Sequence, residues 1–327
     1  MTNNLGDVMS RSRVLVTAAV IAVAVTLGAC GGSDDSPAAT GPDKVSVGVI
    51  PIVDVAPIYL GQQQGFFTAE KINLTLQSAT GGAAIIASVA AGQCTFGFSN
   101  VTSLLLAQDK GLPLKIVAAG ASTTGKVGQD FGAVVAAKGS SITRPADLAG
   151  KKVAVNNLNN ITSTTASKVV RDDGGDPKKI KFVELAFPDM PGALAKKQVD
   201  AVWVVEPFLT ITKRQGGKPV AWPYAGTDPK LMIAAYFTST KLATSNPDLV
   251  KRFSAAMTKS LAFAAQNPDQ VRAILSTYTK IDQSVAAELT LPTYPTEINA
   301  NSLSLLGKLA VDDGLLSKQP DVKALLP

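Results

Sequence analysis

The sequence predicts an α/β protein of two related lobes, each built on a mostly parallel sheet. Two observations carry this. Short β-branched runs alternate with helical stretches from residue 45 to residue 205, the order expected of sheets covered by helices. The alternation also runs twice: Val89-Ala90-Ala91-Gly92-Gln93-Cys94-Thr95-Phe96 is echoed by Leu194-Ala195-Lys196-Lys197-Gln198-Val199-Asp200-Ala201 as helix, turn and strand, a sign of internal repetition.

The first strand is read at residues 45–50, and residues 72–76 alternate as a second. Between them Pro57 suits the first turn of a helix ending near Gly65. A helix at 82–91, a strand at 94–98, a helix at 101–110 and a strand at 114–118 follow. The later half repeats this with strands at 152–156, 180–184 and 199–205 and helices at 162–172 and 192–197. After Gly226 the composition changes. A strand at 232–238 precedes Asn246-Pro247-Asp248, which opens a long amphipathic helix to about Gln266, and Asn267-Pro268-Asp269 opens another. This helical tail is expected to cover one lobe rather than form its own domain.

At the start, Arg11 and Arg13 stand before an apolar run from Val14 that stops at Leu27-Gly28-Ala29-Cys30. A basic beginning, a short apolar middle and small residues before a cut make a secretory signal, and a cysteine just after the small pair is a lipidation site. A membrane-spanning helix needs about 20 apolar residues, more than this run supplies. Residues 1–29 are therefore expected to be a lipoprotein signal peptide, Cys30 the acylated residue, and residues 30–43 a flexible tether of small polar residues. The mature chain would sit outside the cytoplasm, tied to the cell membrane by its lipid. Removing Arg11, Arg13 and Asp7 leaves 29 basic against 24 acidic side chains. These are spread out, as at Lys151-Lys152 and Lys196-Lys197, without aromatic interleaving, which argues for a solvated surface and against a nucleic-acid partner.

The chain has no histidine. That excludes Ser-His-Asp and Cys-His catalysis, histidine metal sites and a histidine pH switch. With Cys30 assigned to lipid, Cys94 remains alone in an apolar strand, as a small buried residue, and no disulfide forms within one mature chain. Gly120-Ala121-Ser122-Thr123-Thr124-Gly125-Lys126 copies most of a phosphate-binding P-loop, but Val127 stands where a hydroxyl must hold magnesium, so the stretch reads as a mobile loop between lobes. No cofactor or metal is expected.

Val47-Gly48-Val49-Ile50-Pro51, Ala56-Pro57-Ile58-Tyr59-Leu60, Gly65-Phe66-Phe67, Gly111-Leu112-Pro113-Leu114-Lys115, Ala146-Asp147-Leu148-Ala149-Gly150-Lys151-Lys152-Val153-Ala154-Val155 and Val199-Asp200-Ala201 leading to Glu206-Pro207-Phe208 resemble the nitrate, sulfonate and taurine group of ABC-transporter solute-binding proteins. The resemblance covers almost all of the mature chain. It implies a two-lobed periplasmic-binding-protein-like fold of type II with two hinge crossings, lobe one at about 44–130 plus 231–327 and lobe two at about 131–230. Thr95 departs from the family pattern, standing where an acidic residue is common, a change expected to affect strand-end hydrogen bonding rather than ligand choice.

In open α/β sheets ligands sit beyond the carboxyl ends of the strands. The candidate ligand residues are accordingly Asp54 and Ala56, Gly81 and Gly82, Ser99 and Asn100 in lobe one, and Asn159, Asn160, Ile161, Thr162, Asp189, Met190, Trp203 and Glu206 in lobe two. Glycines admit close backbone approach, and Ser, Asn and Thr either cap helices or bind the ligand. Asp54 and Glu206 could grip an amine, and Trp203 reads equally as core or stacking platform. The resemblance implies a non-catalytic, monomeric receptor that captures a small organic anion or zwitterion of sulfonate or taurine type and passes it to an ABC permease and its ATPase. The alternatives are a ligand-sensing lipoprotein and a nitrate or pyrimidine-precursor binder of the same fold. Pyrimidine-precursor synthases of this fold are expected to depend on a histidine, which is missing here.

Overall fold

The computed structural model describes residues 41–327. The expected signal peptide, Cys30 and most of the tether lie outside the described residues. The chain runs β1 (Asp43–Val49), α1 (Ala56–Gln63), α2 (Phe66–Ala69), β2 (Ile72–Ser78), α3 (Gly82–Ala90), β3 (Phe96–Asn100), α4 (Val101–Asp109) and β4 (Leu114–Ala119). It continues through β5 (Gly132–Ala136), β6 (Lys152–Val155), α5 (Ile161–Asp172), β7 (Lys181–Glu184), α6 (Met190–Ala195), β8 (Ala201–Val205), α7 (Phe208–Arg214), β9 (Lys218–Ala221) and α8 (Pro223–Thr227). The last elements are β10 (Ala234–Ser239), α9 (Thr240–Ser245), α10 (Pro247–Gln266), α11 (Pro268–Thr279), α12 (Gln283–Glu288) and α13 (Ala300–Asp312).

The strands form two five-stranded sheets, ordered β2-β1-β3-β10-β4 and β7-β6-β8-β5-β9. The two share one plan. In the first, β10 alone runs antiparallel to its neighbours, and in the second β5 does so. Each of these strands is the one entered directly after the chain passes from sheet to sheet, between β4 and β5 and again between β9 and β10. The antiparallel strand in each sheet qualifies the expected mostly parallel order.

The sequence echo is structural. Gly92 and Lys197 occupy equivalent turns with φ of 74° and 55°, and the strands that follow begin at Phe96 and Ala201. Thr95 and Asp200 stand just before them. Thr95 Oγ1 accepts the Ser46 N–H at 3.2 Å, as Asp200 Oδ2 accepts the Lys152 N–H at 2.8 Å, the strand-end role expected of the substituted position. One expectation is corrected: Cys94 precedes β3 instead of lying in it, because the Gln93 and Cys94 N–H groups still close the end of α3 on the Ser88 carbonyl. Cys94 is buried, as expected.

α10 buries a single stripe, Leu249, Phe253, Ala256, Met257, Ser260, Leu261 and Ala264, whose spacing is that of one helix face. Phe253 stacks on Phe96 of β3 at 3.9 Å. Pro247 and Pro268 open α10 and α11 in their first turns, where a missing N–H costs nothing. The tail does not confine itself to one sheet. α10 packs on α1, while α13 packs on both α4 and α5, and α12 reaches α7.

The stretch resembling a P-loop is the first passage between sheets, and its neighbour is the second. Thr123 N–H donates to the Leu231 carbonyl and Ile233 N–H to the Ala121 carbonyl. Buried Asp130 ties them further, accepting from Thr123 Oγ1 at 2.5 Å, Thr124 N at 3.0 Å, Phe131 N at 2.9 Å and Ala225 N at 3.0 Å. Val127, in the position that would have held magnesium, is 67 % exposed.

Candidate functional site

The carboxyl ends of the two sheets face one another. From the first come Ile50, Ile52, Asp54, Phe98, Asn100, Ile233 and Ala234; from the second, Asn156, Asn160, Ile161, Thr162, Phe187, Val205 and Tyr224. Their side chains close on a cavity of about 20 Å³, room for roughly one water. Among the described residues no lysine or arginine lines it.

Asp54 sits on a 3-10 turn after β1, 3 % exposed, and its Oδ2 has no hydrogen-bond partner among the described residues. Burial pushes its carboxyl up to about 7, with the charge of Asp130 adding to the rise. Tyr294 Oη and Tyr278 Oη donate to the carbonyls of Val53 and Ile52 at 2.9 and 3.1 Å, fixing the turn. Tyr224, Tyr236, Tyr278 and Tyr294 all have phenols pushed well above the ordinary value, by burial first and by the charge of Asp54 among the lesser causes. An ionised Asp54 is thus poorly supported, whereas a hydrogen-bond donor brought to its free oxygen would be well received.

The asparagines at the helix starts work mainly as caps. Asn160 Oδ1 accepts from Thr162 N at 3.0 Å and Thr162 Oγ1 at 2.6 Å, and its Nδ2 donates to Asn156 Oδ1 at 2.9 Å. Asn100 Oδ1 accepts from Ser103 N at 2.9 Å while its Nδ2 donates to Ser103 Oγ at 3.0 Å. Asn156 differs: its Nδ2 makes no hydrogen bond among the described residues, although the residue is buried.

Of the residues expected at the site, Asp54, Asn100, Asn160, Ile161 and Thr162 line one cavity, and the others do not. Ala56, Met190 and Trp203 are core. Trp203 packs on Tyr224 with ring centroids 4.5 Å apart and lies where a Cβ on Gly132 would meet it at 2.6 Å, so the sheet interior claims its ring. Gly81 and Gly82 start α3, where Gly82 abuts fully buried Ser99 and Gly81 abuts Asn157 of the opposite sheet. Asn159 and Asp189 are exposed. Glu206 is buried at the end of β8, but its carboxylate accepts from Thr210 N and Oγ1 at 2.9 and 2.8 Å and from Thr290 N at 3.3 Å. Its backbone carbonyl accepts the Val53 N–H. Glu206 therefore joins the sheets beside the cavity. Burial pushes its carboxyl up to about 7, against the lowering effect of those hydrogen bonds.

Sequence reasoning missed Asn156, read as the last residue of a strand, and Tyr224, which stands on a short helix after the unpredicted strand β9. Phe187 was passed over beside the polar Asp189. The only signal for it is Pro188, the second residue of the 3-10 turn Phe187–Asp189 that carries it.

The profile of the family described as "NMT1/THI5 like" matches residues 52–271. The chain belongs to that family. No curated protein sequence matches it. Solved structures share its fold: the alkanesulfonate-binding protein SsuA of Xanthomonas axonopodis pv. citri, bound to MOPS, has a TM-score of 0.74 at 17 % identity, covering 88 % of this chain and 99 % of its own. The periplasmic aliphatic sulphonate-binding protein SsuA of Escherichia coli gives 0.71 at 19 % identity over 87 % and 97 %. The periplasmic nitrate-binding protein NrtA of Synechocystis PCC 6803 gives 0.74 at 14 % identity over 87 % and 86 %. The architecture is that of periplasmic binding proteins.

Proposed function

We propose that this NMT1/THI5-like protein is the lipid-anchored solute receptor of an ABC importer, without catalytic activity, and that it captures a small organic molecule between two lobes, residues 44–130 with 231–327 and residues 131–230. The observation that carries this reading is the cavity itself. Its polar groups come from the carboxyl ends of both sheets, which are joined by two adjacent passages. A solute that touches both sheets stabilises their closed arrangement by its differential affinity, and a permease with its cytoplasmic ATPase would recognise that arrangement. The fold neighbours named for sulfonate and nitrate binding support a transport role.

The solute is an organic molecule with a hydrogen-bond donor such as an amine, as in a zwitterion of taurine type, and not a bare inorganic anion. Among the described residues, Asp54 offers an unpartnered buried oxygen and no basic side chain lines the cavity to neutralise an anion. Any anionic head would rest on backbone and amide groups at the start of α5. Cys30 carries the lipid, and the receptor acts as a monomer.

A thermal-shift screen across alkanesulfonates, amino-sulfonates, nitrate, aromatic acids, amines and pyrimidines tests this. A solute present at 100 times its Kd stabilises the protein by about 2.7 kcal/mol, and at least one amine-bearing organic member should do so. Tight binding of nitrate with no response to the organic classes would contradict the assignment. Cys30→Ala should abolish incorporation of labelled fatty acid and leave the precursor uncleaved.

A further inference from the structure

Beside the central cavity, towards the edge strands β2 and β7, lies a second hollow of about 230 Å³ that also spans the two sheets. One wall is Ile50, Pro51 and Ile52, which leave β1; the other is Phe187 and Pro188, with Phe208 of α7 beneath. Among the described residues its only polar side chains are the hydroxyls of Ser78 and Thr80, and no charged side chain lines it. Phe187 and Phe208 hold each other nearly parallel, with centroids 6.2 Å apart and an angle of 8° between the ring planes. Ile50, Ile52 and Phe187 line both spaces, so those three side chains form the boundary between the hollow and the proposed binding cavity.

The central cavity admits a polar group and little more, whereas the hollow beside it exceeds an engineered apolar cavity of about 150 Å³ that binds benzene. Water gains little among such walls, and an apolar occupant releases it. We propose that the hollow is an apolar subsite, and that the solute carries an aryl or branched aliphatic group there while its polar end lies in the central cavity. This rests on the reading of the cleft as a solute site, and it narrows the solute class from small polar molecules such as taurine to amphiphilic ones. Occupancy by such a group would also bridge the sheets through apolar contact, adding to closure.

The test uses the protein with 13C-labelled isoleucine methyl groups and benzyl alcohol as probe. Ile50 and Ile52 methyl resonances should shift saturably while that of Ile116 in β4 does not. Ala186, half-buried on the second wall, is the place to fill the hollow: Ala186→Phe should abolish the shifts at an unchanged melting temperature. In parallel, benzylamine is compared with methylamine and benzenesulfonate with methanesulfonate. In at least one pair the aryl member should bind about tenfold tighter or more, and lose that advantage in Ala186→Phe. No saturable shift at Ile50 and Ile52, shifts that survive Ala186→Phe, or equal affinity within both pairs would each overturn the subsite. If benzyl alcohol gives the shifts but no solute closes the protein, the subsite stands and the receptor reading falls.

Discussion

Asn157, on the loop after β6, lies directly against Gly81 at the start of α3: a Cβ on Gly81 would stand 2.0 Å from Asn157 Oδ1. The two residues belong to opposite sheets, so their approach measures how closely the cleft shuts. The Asn157 loop is held from behind by Glu184, whose carboxylate accepts from Asn157 Nδ2 at 3.3 Å and Leu158 N at 3.0 Å. The constraint at 81 is one of space and not of backbone angle, and what a Cβ there would meet is the amide end of the Asn157 side chain.

Gly81→Ala should therefore hinder closure without harming either sheet. For whichever panel solute stabilises the wild type, affinity should fall about tenfold or more, with the melting temperature of the free protein nearly unchanged. Calorimetry and thermal shift read the two quantities separately. Wild-type affinity in the variant would show that the approach of these residues plays no part in binding.

Asp54 and Glu206 make stability depend on pH with a defined sign. Both carboxyls titrate at about 7 in the folded protein, raised from 3.8 and 4.5. Between about pH 4 and pH 7 the unfolded chain has lost these protons while the folded chain keeps them. Unfolding then releases protons, so stability falls as pH rises through this window and levels off above 7, by up to ~1.4 kcal/mol per pH unit for each group. Asp54→Asn should flatten the fall by about half. Urea midpoints at intervals from pH 4.5 to 7.5 check this, and stability rising across the window in the wild type would contradict it.

Asp130 anchors the paired passages between sheets through four accepted hydrogen bonds. Hydrogen bonds to a charged group contribute about 1.5–3 kcal/mol each, and buried donors left unpaired are costly. Asp130→Ala should destabilise the protein by about 3 kcal/mol or more, and Asp130→Asn, which keeps one acceptor oxygen, by less. Hydrogen exchange at the Ala225 amide should accelerate in both.

The fold was largely legible because its strands and helices announce themselves locally. Residues 72–76, 82–91 and 101–110 were read within a few residues of β2, α3 and α4. β5 and β9 were not. Gly132–Ala136 and Lys218–Ala221 are short and flank the second sheet's antiparallel arrangement, whose pairing is set by contacts distant in sequence. The site was legible only in part for the same reason. Loop position points to Asp54, Asn100 and Asn160, but whether a strand-end residue faces the cleft depends on the pleat and on the neighbouring loop. Trp203 lies in β8 and Glu206 directly follows it, yet Glu206 turns to Thr210 and Thr290 and Trp203 into the sheet interior.

A smaller test of the packing comes from Gly61, where a Cβ would fall 1.8 Å from Ser260 Oγ between α1 and α10. Gly61→Ala should cost about 1–3 kcal/mol by overpacking, and the double variant Gly61→Ala with Ser260→Ala should recover part of it. Denaturant unfolding of the three variants decides.

Small-angle X-ray scattering during titration with the solute that stabilises the protein most is the most direct test of capture between the sheets. The radius of gyration should contract along the calorimetric binding curve in the wild type and contract less in Gly81→Ala. Stoichiometric binding with an unchanged radius of gyration in the wild type would contradict closure.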